Sequence, residues 1–152
     1  MKMLDEADRR ILRVLQEDGR ISNLELSQRC AMSASACLDR TRRLRDRGYI
    51  RKYVALLDPL LLDQALLIFV EVTLDRTSGH IFTEFADSVR CEASIAECHM
   101  VAGGFDYLLK VRMKDMQEYR DFLTRLAAMP GVRATRSYPA IEDVKCTTTL
   151  PL

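Results

Sequence analysis

At 152 residues, 48% of them hydrophobic and 30% charged, the chain has ordinary soluble globular composition and the length of one or two small domains. Its start lacks the apolar core of a signal peptide and no apolar run approaches the roughly eighteen residues of a membrane span, which predicts a cytoplasmic protein without a membrane partner. The net charge of +1 conceals an asymmetry: residues 1–57 hold 13 Lys/Arg against 8 Asp/Glu, net +5, and residues 58–152 hold 10 against 14, net −4.

The first helix is expected over Asp5–Glu17, with Asp5 as cap, Leu4 as a staple, and Ala7, Ile11, Leu12 and Leu15 as the buried face. Gly19 breaks it. A second, short helix starts at Ser22, where Glu25 completes a capping box and Leu24, Leu26 and Cys30 offer apolar contacts, and it ends near Ala31-Met32. The third runs from Ser33, a good N-cap, to Arg47, and Gly48 closes it by adopting the left-handed conformation. Cys37, Thr41 and Leu44 form its narrow buried stripe, and Arg40, Arg43 and Arg47 repeat on another face. Beyond it YIRKYVALL alternates as a β wing.

Between Arg40 and Lys52 seven cations face a single acid, Asp46, a field suited to the phosphates of double-stranded DNA. Three helices with a tight turn before the basic one make a helix-turn-helix, whose last helix enters the major groove. Ser33, Ser35, Ala36, Asp39 and Arg40 are the candidates for base edges, Arg40 foremost, with Asp39 either accepting from cytosine or orienting Arg40; Arg42, Arg43, Arg47, Arg51 and Lys52 are assigned to phosphates.

Asp58-Pro59 marks the boundary of this first domain, residues 1–57, and an apolar linker over residues 58–65 follows, part of which is expected to pack on a neighbour. Residues 66–152 read as strand Leu66–Leu74, helix Gly79–Val89, strand Ile95–Val101, strand Phe105–Met113, helix Asp115–Met129 and a final strand from Val132 to Ile141. The fold class is therefore α+β: a winged helix-turn-helix followed by a ferredoxin-like βαββαβ domain with both helices on one sheet face. The uncovered face, and the need to space two recognition helices one turn of DNA apart, predict a homodimer. Pro139 removes a ladder donor, so the last strand is expected at an edge or an interface.

The segments DGRISNLELSQR, CLDRTRRLRDRGYI, YVALLDP, AECHMVAGGFDYLLKV and EDVKCTTTLPL resemble the leucine-responsive regulatory protein/AsnC family of feast/famine transcription regulators over essentially the whole chain. The resemblance implies an amino-acid effector, with residues 66–152 as the sensing domain, and dimers that assemble into octamers or larger rings. Two departures stand out. The recognition helix begins Ser33-Ala34-Ser35-Ala36-Cys37 without the two prolines common in relatives, and Gly104 replaces a frequent acidic residue.

The effector site is expected in the Gly103–Leu108 turn and strand, which includes Tyr107. Asp106 would accept from the ligand's ammonium, and the N–H groups of Gly103 and Gly104 would donate to its carboxylate. The resemblance adds Met100 and Met116 as an apolar wall, one suited to an unbranched or sulfur-bearing side chain, and Tyr138 as a lid from a neighbouring dimer. The alternative is a plain hairpin turn in which Asp106 pairs with Lys110 or Arg112. Five cysteines without a CxxC pair favour neither a disulfide framework nor a metal site. With only His80 and His99, and no nucleophile motif or nucleotide loop, neither an enzyme nor a cofactor is expected. The rival function is an amino-acid-sensing oligomeric module without sequence-specific DNA binding, for which the seven cations have little use.

Overall fold

A computed structural model describes residues 4–75 and 79–152. The chain divides into two units, one comprising the chain up to Leu56 together with Lys145–Leu152, the other spanning Leu57–Val144. No helix among the described residues is long and apolar enough to cross a membrane.

The first unit is built on α1 (Glu6–Glu17), α2 (Asn23–Arg29) and α3 (Ala34–Asp46). Each starts on a side-chain cap: Asp5 accepts from the Asp8 N–H, Ser22 from Glu25 and Ser33 from Ala36. The two later helices also end alike. Gly48, at φ +79°, lets its own N–H reach the Arg45 carbonyl and the Tyr49 N–H reach Leu44, a Schellman closure. The same closure follows α2, where the Ala31 and Met32 N–H groups reach Gln28 and Ser27, but with an alanine held at φ 53°. This sharp reversal sets the angle of the helix-turn-helix. Ile11, Leu12, Leu26, Cys30, Cys37 and Leu44 make the core, which bears out the stripe expected on α3. Leu24 departs from expectation, lying 63% exposed.

The segment expected as a β wing pairs with no strand among the described residues, and Val54, Leu56 and Leu57 are exposed. Alternation requires one buried face, but this unit holds three helices and no strand for the segment to join. The linker forms a turn in which the Gln64 N–H reaches the Pro59 carbonyl at 2.8 Å, while Leu60, Leu61 and Leu62 remain exposed.

The second unit contains β1 (Leu66–Leu74), α4 (Ile81–Cys91), β2 (Ile95–Met100), β3 (Tyr107–Met113), α5 (Met116–Ala127) and β4 (Val132–Pro139). The strands form one antiparallel sheet in the order β2-β3-β1-β4, the expected split arrangement. Alternate residues of β1 and β3, among them Ile68, Val70, Leu109 and Val111, are buried against Phe85 of α4 and Phe122 of α5. Tyr107 belongs to this core, its ring 4.8 Å from that of Phe85. Arg125 joins the ends of the two helices through Glu92 at 2.9 Å, and that guanidinium holds the Glu92 carboxyl below its ordinary range. The opposite sheet face carries mixed chemistry: Lys110 pairs with Glu97 at 2.8 Å, and Tyr138 donates to Glu71 at 3.0 Å. Pro139 sits on the edge strand, where its missing donor costs no ladder bond on the open side.

Gly131 links α5 to β4 at φ +71°, and a Cβ there would lie 2.1 Å from Cγ1 of Ile81. Gly131→Ala is expected to destabilise the sheet unit by on the order of 2–4 kcal/mol, combining left-handed strain with overpacking. In an Ile81→Ala background the same change should cost clearly less, because the clash is gone and only the strain remains. Equal penalties by urea unfolding in the two backgrounds would show that the contact plays no part.

Candidate DNA-binding and effector sites

On α3 a rotation of about 100° per residue places Ser35, Asp39, Arg42 and Asp46 opposite the buried Cys37–Leu44 stripe. Ser33, Ser35, Ala36 and Asp39 are all exposed. Ser33 spends its hydroxyl acceptor on the Ala36 N–H at 3.3 Å and lies 3.3 Å from the Ser35 hydroxyl, so its first role is the cap. Arg42, Arg47, Arg51 and Lys52 are exposed and form no ion pair among the described residues. Arg43 is half exposed, 3.9 Å from Asp8.

Arg40 is tied to the start of α1. Its Nη1 donates to both carboxylate oxygens of Asp5, at 2.9 and 2.7 Å, and to Asp8 at 2.7 Å. Asp39 therefore does not orient it, and the contact joins α3 to the start of α1. The reason lies in α1: two acids in its first turn suit the positive end of the helix and together create a site that a guanidinium can fill. The Arg40 hydrogen bond, followed by the one from the Asp8 N–H, holds the Asp5 carboxyl below its ordinary range.

In the sheet unit, Asp106 is only 4% exposed. Its Oδ2 accepts from the Leu74 N–H at 2.8 Å, and its own N–H donates to the Val72 carbonyl at 3.0 Å, so it pins the β2–β3 turn to the end of β1. Lys110 is engaged by Glu97, and Arg112 by Asp143 at 3.0 Å. Gly103 and Gly104 leave open space where a Cβ would stand, and among the described residues their N–H groups have no acceptor.

Beside the turn lies a hollow of about 350 Å³ lined by Thr73, Leu74, Asp75, Gly104, Phe105, Asp106 and Arg133. Asp75 and Arg133, both exposed, form no ion pair among the described residues. Of the expected effector residues, Gly104 and Asp106 are brought to it. Tyr107 is not, because the alternation of β3 turns it into the core, where its hydroxyl donates to the Phe82 carbonyl at 3.4 Å. Met100, Met116 and Tyr138 lie exposed outside the hollow, at 63%, 53% and 42%. Thr73, Asp75, Phe105 and Arg133 were missed. Asp75 and Arg133 approach only because β1 and β4 are antiparallel with Leu74 opposite Val132, a register that periodicity does not reveal.

Fold and site together define a DNA-binding transcription regulator with a separate ligand-binding domain, not an enzyme. Residues 4–51 match the winged helix-turn-helix DNA-binding family, and residues 67–150 match the Lrp/AsnC ligand binding domain. The chain belongs to the Lrp/AsnC family. It is 51% identical over 145 residues to the leucine-responsive regulatory proteins of Klebsiella pneumoniae and Escherichia coli K12, covering 95% of this chain and 88% of each relative. Among solved structures, a Neisseria meningitidis transcriptional regulator in complex with L-methionine superposes with a TM-score of 0.94 at 39% identity, over 98% of this chain and 97% of that one. An AsnC family regulator from Agrobacterium tumefaciens gives 0.93 at 33% identity, over 97% of each chain.

The acid dependence of the first unit follows from Asp5. Its folded pKa is depressed, so its contribution is complete above the unfolded value of about 3.9 and is lost as pH falls through the folded value. Stability of the helix-turn-helix unit should fall below about pH 4, and Asp5→Asn should flatten that fall. Unfolding measured by circular dichroism from pH 2 to 6 checks this; identical profiles for the two proteins would remove Asp5 from the cause.

Proposed function

We propose that the chain is a cytoplasmic, dimeric regulator that binds duplex DNA through α3 and whose assembly or DNA affinity responds to a free amino acid held beside the Gly103-Gly104 turn. The observation that carries the DNA reading is the set of four exposed, unneutralised cations, Arg42, Arg47, Arg51 and Lys52, on and just beyond a helix whose base-facing side bears Ser35, Ala36 and Asp39. Each cation replaced by alanine should weaken binding to all sequences alike and reduce the salt slope by about one. Ser35 and Asp39 variants should instead change which sequence is preferred, with the salt slope unchanged. A gel-shift titration at several salt concentrations separates the two classes, and a uniform response of all variants would refute the assignment.

The effector reading rests on the hollow. A zwitterion needs an acceptor and donors a few ångströms apart, and here Asp75, Arg133 and Gly104 line one hollow. The L-methionine in the Neisseria relative supports an amino acid as the ligand class. Arg133 is assigned to the ligand carboxylate and Asp75 to its ammonium, with Asp106 holding the turn. Arg133→Gln and Asp75→Asn are each expected to lower the affinity for the preferred amino acid about tenfold or more, as loss of a charge-assisted hydrogen bond would. Calorimetry against the twenty amino acids provides the measurement, and undiminished affinity in both variants would rule out this site.

Dimerisation is supported by the uncovered sheet face and by the exposed run that includes Val54, Leu56, Leu60 and Leu61. Octamers or larger rings of dimers remain the assembly that the family resemblance implies. Light scattering is expected to find no monomer at micromolar concentration.

A further inference from the structure

The sequence motif at the end of the chain, Cys146 to Leu152, plays no part in either proposed site. It lies on the helix-turn-helix unit. Gln16 of α1 meets the backbone of Leu150 twice, its Nε2 donating to the Leu150 carbonyl at 3.2 Å and its Oε1 accepting from the Leu150 N–H at 2.6 Å. Arg13, one turn earlier and steadied by Glu6 at 2.8 Å, donates from Nε to the Leu152 carbonyl at 2.9 Å. Thr148 borders a hollow of about 400 Å³ that Leu12, Leu15, Tyr49 and Tyr53 also line. α1 is thus held from both sides, by the core on one and by this segment on the other.

A side-chain amide that satisfies both the donor and the acceptor of one residue imitates a strand neighbour. It reads backbone geometry and not side-chain identity. Pro151, without an N–H, cannot extend the pairing. The tail residues are all exposed, so hydrogen bonds hold the segment with little apolar burial to help them. Such a contact is weak in isolation, but covalent attachment keeps the segment at high effective concentration and the contact remains releasable.

We propose that Lys145–Leu152 is a releasable strap on the DNA-binding unit, recognised by Gln16 through the backbone of Leu150, that holds α1 in place. The first turn and cap of the same helix hold Arg40 of α3 through Asp8 and Asp5, so a strap that holds α1 also steadies α3. The strap therefore favours DNA binding.

Amide hydrogen exchange on the full-length protein tests this. In the wild type the Leu150 amide should exchange about tenfold or more slowly than in an unstructured peptide. Gln16→Ala should abolish that protection while leaving the Ile11 and Leu12 amides unchanged, which shows that α1 is intact. Gln16→Glu, which keeps the acceptor, should retain the protection at neutral pH. Gln16→Ala and a chain stopped after Val144 should both leave a duplex-DNA column at lower salt than the wild type. A Leu150 amide unprotected in the wild type, protection that survives Gln16→Ala, or unchanged DNA retention in Gln16→Ala would overturn the proposal. If the shortened chain fails to fold, Gln16→Ala decides the matter alone.

Discussion

The sheet unit depends on how the backbone is satisfied at the far end of β1. That strand is central, paired with β3 on one side and β4 on the other, and at its far end three further bonds come from Asp106 and Gly131, residues of turns. The Val72 carbonyl takes the Asp106 N–H, the Leu74 N–H takes the Asp106 carboxylate, and the Asp75 N–H donates to Gly131 at 2.7 Å. Leaving such groups buried and unpaired is costly, so the β2–β3 turn and the entry to β4 are each fixed against β1. One consequence is geometric: Gly104, Asp75 and Arg133, far apart in sequence, are held around one hollow. The pocket is a by-product of the pairing that closes the sheet.

Most of the architecture was legible because it follows from local rules. Asp5, Ser22 and Ser33 cap the helices expected of them, and Gly48 ends α3 in the left-handed conformation its lack of a Cβ permits. The alternation of Tyr107, Leu109, Val111 and Met113 fixed both the identity of β3 and its buried face. That same alternation carries Tyr107 into the core and away from the turn. Three features of the structure depend on long-range information. A wing needs a partner strand, Arg40 met two acids thirty-odd positions earlier, and Asp106 answered a backbone N–H on another strand. Periodicity reports which face is buried. It does not report against what.

Arg40 also separates two demands on a basic helix. A basic helix must be held in position and must offer charge, and Arg40 contributes to the first through its Nη1, which donates to Asp5 and Asp8. Fixing Arg40 internally neutralises one cation of seven, while Arg42, Arg47, Arg51 and Lys52 form no ion pair among the described residues. The tie joins the N-terminal end of α1 to the middle of α3, and the C-terminal end of α3 is closed through Gly48 and Tyr49 by backbone bonds alone. The arrangement assigns position to a charge pair and closure to the backbone. Because Arg40 and Asp5 are partly solvent-accessible, the strength of their pair is limited by screening.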